Sequence, residues 1–181
     1  MAHVNLVDPA SSSSSVKPTL DQINGAFGVV PNMFKAVANS PAALNSMWGS
    51  FGALGGGTLG ARLGEEIAVA VANANNCEYC LAAHTALGRK AGASGEDMAA
   101  AQVGKSSDPR TQAALTFALK VVRDRAAVTD ADVAALKAAG FDDEGMVEII
   151  AHVALNLFTN YINVTLKVPV DFPGVQLKRV A

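Results

Sequence analysis

The chain has 181 residues, half of them hydrophobic and 17% charged, with a formal net charge of −2. That length fits one domain, or one domain with tails, and the apolar fraction supports a sizeable core and excludes disorder of the whole chain. The near-neutral balance supplies neither a basic field for nucleic acid nor a polybasic membrane patch. The apolar residues are mostly Ala, Val and Leu rather than aromatic, which suits close-packed helices better than a β-sandwich. No uninterrupted apolar run approaches the ~20 residues that span a bilayer, and MAHVNLVDPASSSSS lacks the charged-then-apolar order of a signal peptide. A cytoplasmic protein is expected, with no nucleic-acid and no membrane partner. In that compartment the two cysteines are more often catalytic or metal-binding than a structural staple.

Residues 1–18 come first, where Pro9, the run Ser11 to Ser15 and Pro18 show no periodicity. They predict a flexible N-terminal arm, mobile or ordered only by a neighbouring subunit. The folded domain is expected over 19–173, with 174–181 as a C-terminal tail. TLDQINGAFG and PNMFKAVANS read as two short helices, the second opening at Pro31. Ser40-Pro41 starts a third, PAALNSMWGSFGAL, in which Leu44, Met47, Trp48, Phe51 and Leu54 fall at helical spacing and read as core; three glycines at 55–57 end it. Helices follow over about 59–75 and about 77–90, the latter closed by Gly92. Ser94 with Asp97 caps a short helix ending near Val103, and Asp108-Pro109 opens a longer one to about Ala126. Thr129 and Asp132 begin another, stopped by Gly140, and the last runs from about Asp143 to Leu166, beyond which Pro169 and Pro173 forbid continuation. No segment alternates as a strand and no solenoid period recurs, so the expected architecture is an all-α, single-domain helical bundle.

Chemistry concentrates in EEIAVAVANANNCEYCLAAHTALGRKAG, residues 65–92. Cys77, Cys80 and His84 are spaced i, i+3, i+7, and at about 100° per residue they fall within roughly 60° of one another on a helix. Asn75-Asn76 breaks the preceding segment, so Cys77 opens a new helix, where orphan N–H groups and the helix dipole favour a thiolate. One turn separates Cys80 from His84, close enough for the imidazole to take the thiol proton directly or through one water. Glu65 shares a helix face with Ala68, Val69 and Ala72, and an antiparallel packing of the two helices brings it to His84; the plainer reading is a first-turn carboxylate favoured by the dipole. His84 itself also fits a simple surface or core histidine.

Spacing removes some alternatives. Leu81 stands where c-type haem attachment needs His, and the H-x-E that zinc deaminases place upstream of P-C-x-x-C has no counterpart. Thioredoxin-like chemistry sits on a strand-to-helix turn, which an all-α chain does not offer. Structural zinc held by Cys77, Cys80, His84 and a fourth ligand, Glu65 or His152, fits the donor types, and a non-catalytic redox sensor or disulfide-exchange protein fits the dithiol. The sulfur nearer the base, Cys80, is the expected nucleophile, with Cys77 more open to an outside reductant; a first-attacking Cys77 also fits the residues.

The pattern Glu65, Cys77-Glu78-Tyr79-Cys80, His84 resembles the alkylhydroperoxidase AhpD branch of the carboxymuconolactone decarboxylase family, whose signature places Glu twelve residues before C-x-x-C and His four after it. Pro31-Asn32-Met33-Phe34 is similar to the P-N-x-F segment of the peroxidase-related members, and the run Asn156 to Asn163 to their C-terminal helix. The likeness covers most of residues 25–173. It implies an AhpD-like helical subunit with C-x-x-C at a helix N-terminus, acting in antioxidant defence as a thiol peroxidase without cofactor or metal. Cys80 would attack a hydroperoxide, Cys77 resolve it as a disulfide, His84 act as base and Glu65 orient or relay. A dithiol or protein thiol would be the reductant. Tyr79 replaces the His that characterised alkylhydroperoxidases can carry before the second cysteine, and since the decarboxylase branch lacks the cysteine pair and keeps other catalytic residues, lactone decarboxylation is a poor fit. The resemblance also implies a homo-oligomer of two, three or six chains. The last helix, apolar almost all round, and the 41–54 helix are the expected interface. His152, Asn156, Asn160 and Asn163 line one side of the last helix and are expected at the thiol pocket, at a subunit contact or in a simple hydrogen-bonded buried seam.

Overall fold

The computed structural model describes residues 1–178. Among these, a 3₁₀ turn at Pro9–Ser11 precedes nine α-helices and no strand: α1 (Lys17–Phe27), α2 (Asn32–Val37), α3 (Pro41–Gly55), α4 (Ala61–Ala74), α5 (Glu78–Lys90), α6 (Gly95–Ala101), α7 (Pro109–Arg123), α8 (Asp130–Ala138) and α9 (Asp143–Leu166). The all-α bundle expected from composition is the one observed.

Local chemistry sets most boundaries. Ser40, Asp108 and Asp142 cap α3, α7 and α9 with their side chains, and Ser94/Asp97 and Thr129/Asp132 form reciprocal capping boxes at α6 and α8. Pro31 is the residue before α2 rather than its first, since its ψ of 150° is extended. The α4–α5 turn passes through Asn76, which takes φ 54°, a left-handed conformation that Asn tolerates better than other non-glycine residues.

α4 is the central helix. Ten of its fourteen residues are buried, and its Ala/Val surface lets α5, α7 and α9 pack closely on it. It pairs antiparallel with α5, so that Glu65 near its start lies beside His84 and Gly88 well along the partner. A Cβ at Gly88 would fall 2.5 Å from the Met98 thioether and 3.3 Å from Glu65 Cβ, so glycine there permits the approach of both α4 and α6. α9 crosses α2, α3, α4, α5 and α7. With 24 residues it is, by length and mean hydropathy, the one described helix long and apolar enough to span a membrane. Charged and amide residues interrupt it, so it holds no unbroken apolar run of that length, and it packs against five other helices.

The N-terminal arm also departs from expectation. Val7 N–H donates to Lys35 O (3.1 Å), His3 N–H to Leu166 O (2.8 Å) and Asn39 Nδ2 to Asn5 O (2.8 Å), while Val16 is buried at 2% exposure. Val4, Leu6 and Val7 cover the core, and apolar residues scattered without period did this where helical periodicity could not reveal it. The tail behaves alike as far as Lys178: Val175 and Leu177 pack on the core, and Asn73 accepts the Lys178 N–H and donates to its carbonyl. Residues 179–181 of the proposed tail lie outside the described residues.

The loop that delivers α4 is fixed by one carboxylate. Glu148 on α9 accepts the N–H groups of Thr58 and Leu59 and the Thr58 hydroxyl, at 2.8–3.0 Å, and the Thr58 N–H above all holds the carboxyl below its ordinary range. A depressed folded pKa contributes stability above the unfolded value and loses it as pH falls through the folded one. Glu148→Ala is therefore expected to lower unfolding free energy by about 1–2 kcal/mol at neutral pH, with the gap to wild type closing as acid titrates the carboxylate; denaturant melts across pH 7 to 3 measure it.

Candidate active site

Cys77 is the N-cap of α5 and Cys80 lies in its first turn. The Cys77 Sγ accepts the Cys80 N–H at 3.2 Å, as a helix cap does. The fold therefore aims both sulfurs inward at one helix end, where they are buried at 1% and 2% exposure. They are free thiols with Sγ atoms 2.6 Å apart. Buried side by side, the pair holds one negative charge far more readily than two.

The surroundings decide which sulfur carries it. Burial pushes the Cys80 thiol up, but the hydrogen bond from Cys77, the nearby His84 and the amides of Asn163 and Asn160 outweigh it and bring Cys80 down to about 6. Its partner moves oppositely. The Cys77 proton is held by the bond to Cys80, by burial and by the repulsion of a second thiolate, and its pKa rises. The helix-opening position was expected to favour a Cys77 thiolate. That advantage is overridden because Cys77 gives its own proton to the bond between the sulfurs, while His84 and the Asn163 and Asn160 amides favour the charge on Cys80.

His84 is buried, and its Nδ1 lies 2.7 Å from Glu65 Oε2. Burial alone would lower the imidazole pKa; the Glu65 charge and hydrogen bond, helped by Cys80, raise it instead. The Glu–His pair bridges α4 and α5 and faces Cys80, although among the described residues His84 makes no direct hydrogen bond to either sulfur. It acts on Cys80 through charge and, for a proton, through whatever occupies the space between.

That space is a cavity of about 300 Å³ lined by Glu65, Tyr79, Cys80, His84, and an aromatic wall of Phe27, Phe34, Trp48, Phe51 and Phe172. Phe34 meets Trp48 edge-on at 5.7 Å and Phe51 at 6.0 Å, which fixes the wall as one packed unit. Leu44 and Met47 of α3 are fully buried as expected, whereas Trp48 and Phe51 turn out to be cavity wall. Sequence spacing could not separate the two, since both sides of an amphipathic helix edge share one period. Cys77 opens instead toward a second, smaller cavity of about 190 Å³, with Asn76, Asn163, Lys167 and Val170. Tyr79 lines both; its hydroxyl accepts the Met33 N–H at 3.1 Å, and burial raises its pKa.

The remaining residues expected at the pocket divide. Asn160 is fully buried and accepts from Asn75 Nδ2 at 2.9 Å, and Asn156 donates to His152 O in its own helix at 2.8 Å. Neither lines a cavity at the thiols. His152 also stands apart: its ring fills the space over Gly64, and burial lowers its pKa. Two α9 side chains reach Cys80 Sγ: Thr159, whose hydroxyl accepts from the thiol at 4.0 Å, and Asn163, whose Nδ2 lies at 3.2 Å. The place of Asn163 at the end of the Asn156/Asn160 row was a visible signal, but only the tilt of α9 across α5 decides which member of the row arrives. No cluster of three or more His, Cys, Asp or Glu side chains suited to a metal occurs among the described residues. As placed, Cys77 Sγ and Cys80 Sγ are 2.6 Å apart, closer than the roughly 3.8 Å between two thiolates ~2.3 Å from one tetrahedral zinc.

Residues 41–124 match the model of the carboxymuconolactone decarboxylase family, a span that includes Glu65, both cysteines and His84. A peroxidase-related protein from Ralstonia eutropha JMP134, described as an alkylhydroperoxidase AhpD core, superposes with a TM-score of 0.84 at 29% identity over 94% of this chain and 92% of its own. The chain resembles the AhpD-like branch of this family. A peroxidase-related protein from Silicibacter sp. TM1040 is similar at 26% identity and TM-score 0.82, covering 93% of this chain and 91% of its own. The debrominase Bmp8, in complex with 2,3,4-tribromopyrrole, shares the fold at 20% identity and TM-score 0.79 over 94% of both chains. No curated protein matches the chain.

Because the thiolate is the reactive form, the two cysteines of this site should be distinguishable. Iodoacetamide is expected to modify Cys80 before Cys77 at pH 7, with a rate that rises through an inflection near pH 6, as peptide mapping by mass spectrometry would show. His84→Ala should move that inflection toward the ordinary thiol value of about 8.5.

Proposed function

We propose that this chain is a thiol peroxidase of the AhpD-like kind, reducing organic hydroperoxides at Cys80. The observation that carries the reading is a buried dithiol whose lower-pKa sulfur faces an apolar cavity alongside a Glu65–His84 pair. The Cys80 thiolate attacks the terminal peroxide oxygen, the O–O bond breaks, and sulfenic acid forms while the leaving alkoxide takes a proton from the His84 imidazolium. Glu65 holds that imidazole in orientation and favours its charged form. Cys77, 2.6 Å away, then loses its proton and attacks the Cys80 sulfur, releasing water and closing a disulfide that protects the site from over-oxidation. An external dithiol or protein thiol returns two electrons. The separate cavity at Cys77 suits that exchange, since the reductant need not displace the peroxide pocket. A role in cytoplasmic antioxidant defence follows from this chemistry, with no cofactor required.

The aromatic wall also favours a second reading, reduction of a halogenated aromatic, in which C–halogen becomes C–H, halide leaves and the dithiol is oxidised. The peroxide reading is preferred because the peroxidase-related proteins that the chain resembles are 26% and 29% identical to it, whereas the debrominase, at 20%, shares the fold alone. Assembly belongs to the same proposal: Val147, Ile150, Tyr161 and Val164 of α9 are 42–64% exposed, an apolar face suited to a second copy in a dimer, trimer or hexamer.

Steady-state turnover of alkyl and aryl hydroperoxides with dithiol donors is the test. Cys80→Ser should abolish consumption, Cys77→Ser should permit one stoichiometric oxidation without turnover, and His84→Ala or Glu65→Ala should slow the reaction roughly 10²–10⁴-fold, partly recovered at higher pH. Turnover unaffected by Cys80→Ser would overturn the reading. Light scattering at micromolar concentration is expected to give a mass above one chain, and Ile150→Glu to reduce it.

A further inference from the structure

Three amides of α9 are buried at 4%, 0% and 3% exposure, those of Asn156, Asn160 and Asn163. Each leaves one polar atom without a protein partner: Asn156 Oδ1, Asn160 Nδ2 and Asn163 Oδ1. Such placement costs free energy unless something recompenses it. Asn156 and Asn160 spend their other atom on the scaffold, the latter tying α9 to the end of α4 through Asn75. Asn163 spends its Nδ2 on sulfur, 3.2 Å from Cys80 Sγ. A neutral thiol is a weak acceptor, and hydrogen bonds to an ionised acceptor are about twice as strong as neutral ones. The burial of Asn163 is therefore poorly compensated while Cys80 is protonated and well compensated once it is not.

We propose that Asn163 is a catalytic donor to the reacting sulfur, binding the Cys80 thiolate through its amide N–H, with Asn160 as a positioning residue braced by Asn75. The inference rests on Cys80 being the attacking cysteine. The ionisable groups around that sulfur are Cys77 and His84 on α5, Glu65 on α4 acting through His84, and His152 on α9 behind that pair; Tyr79 turns its hydroxyl to Met33, near Asp171. Asn163 and Asn160 both pull the Cys80 thiol down, and Asn163 does the same to Cys77. Asn163 also lines the cavity at Cys77. Asn163 thus stands at both sulfurs, bonded to Cys80 and beside the cavity onto which Cys77 opens.

The test is a thiolate titration that needs no peroxide. In a Cys77→Ser background, so that one thiol titrates, ultraviolet thiolate absorbance is followed against pH. Asn163→Ala is expected to raise the Cys80 midpoint by about one pH unit or more, the size of one charge-assisted hydrogen bond. Asn163→Asp, nearly isosteric, should raise it further by placing a carboxylate beside the sulfur, and Asn163→Ser, which keeps a short donor, should raise it less than Ala. Circular dichroism establishes which variants are folded. If Ala does not fold, the Asp and Ser pair decides by itself. Folded variants that titrate with the background protein would overturn the proposal. A shifted titration in a protein without peroxide turnover would sink the peroxidase reading and leave this one standing.

Discussion

Two thiols held 2.6 Å apart at a buried helix end resist ionising together, and the site is organised around that constraint. Burial would keep both neutral; a local excess of donors around Cys80 makes it the exception. Each donor comes from a different part of the fold. Cys77 is supplied by the α5 N-cap, His84 by the second turn of α5 under the control of Glu65 on α4, and Asn163 by α9. Removing any one helix from the arrangement would return the sulfur to the behaviour of an ordinary buried cysteine, which is inert.

The same turn that fixes the sulfurs separates their surroundings. Asn76 in a left-handed conformation redirects the chain so that Cys77 faces a small cavity edged by Lys167, itself left-handed at the end of α9, while Cys80 faces the aromatic-walled cavity. Tyr79 stands between them, held by the Met33 N–H. An apolar pocket with few polar groups at its floor is suited to selecting a hydrophobic substrate and positioning it against one reactive atom. Access for a second thiol from the other side lets the two halves of a redox cycle use different surfaces.

Much of this was legible in the residues because the local signals agreed with the fold. Capping residues at Ser40, Ser94, Asp108, Thr129 and Asp142 and the breaks at Gly92 and Gly140 delimit helices by hydrogen bonding that acts over three or four residues. Glu65, Cys80 and His84 could be placed together because they belong to one helical hairpin, whose geometry follows from spacing alone. What required tertiary structure was different in kind. Trp48 and Phe51 share a period with Leu44 and Met47, so nothing in α3 marks them as wall rather than core. Asn163 differs from Asn156 and Asn160 only through the crossing angle of α9. The first sixteen residues have no periodicity, yet Val7 and Val16 are held by contacts distant in sequence. The buried carboxylate of Glu66, paired with Arg62 at 3.0 Å, likewise lies one residue from Glu65 with no signal to tell the structural acid from the functional one.

The central claim is that Cys77 and Cys80 act together as a two-electron donor to a hydroperoxide. The most direct measurement is a thiol count on the reduced protein before and after one equivalent of cumene hydroperoxide, with the alcohol product quantified in the same sample. Loss of both thiols of each chain, one alcohol formed per chain and an intramolecular Cys77–Cys80 disulfide by mass spectrometry are the predicted result. Two thiols still free per chain, with the hydroperoxide unconsumed, would contradict it.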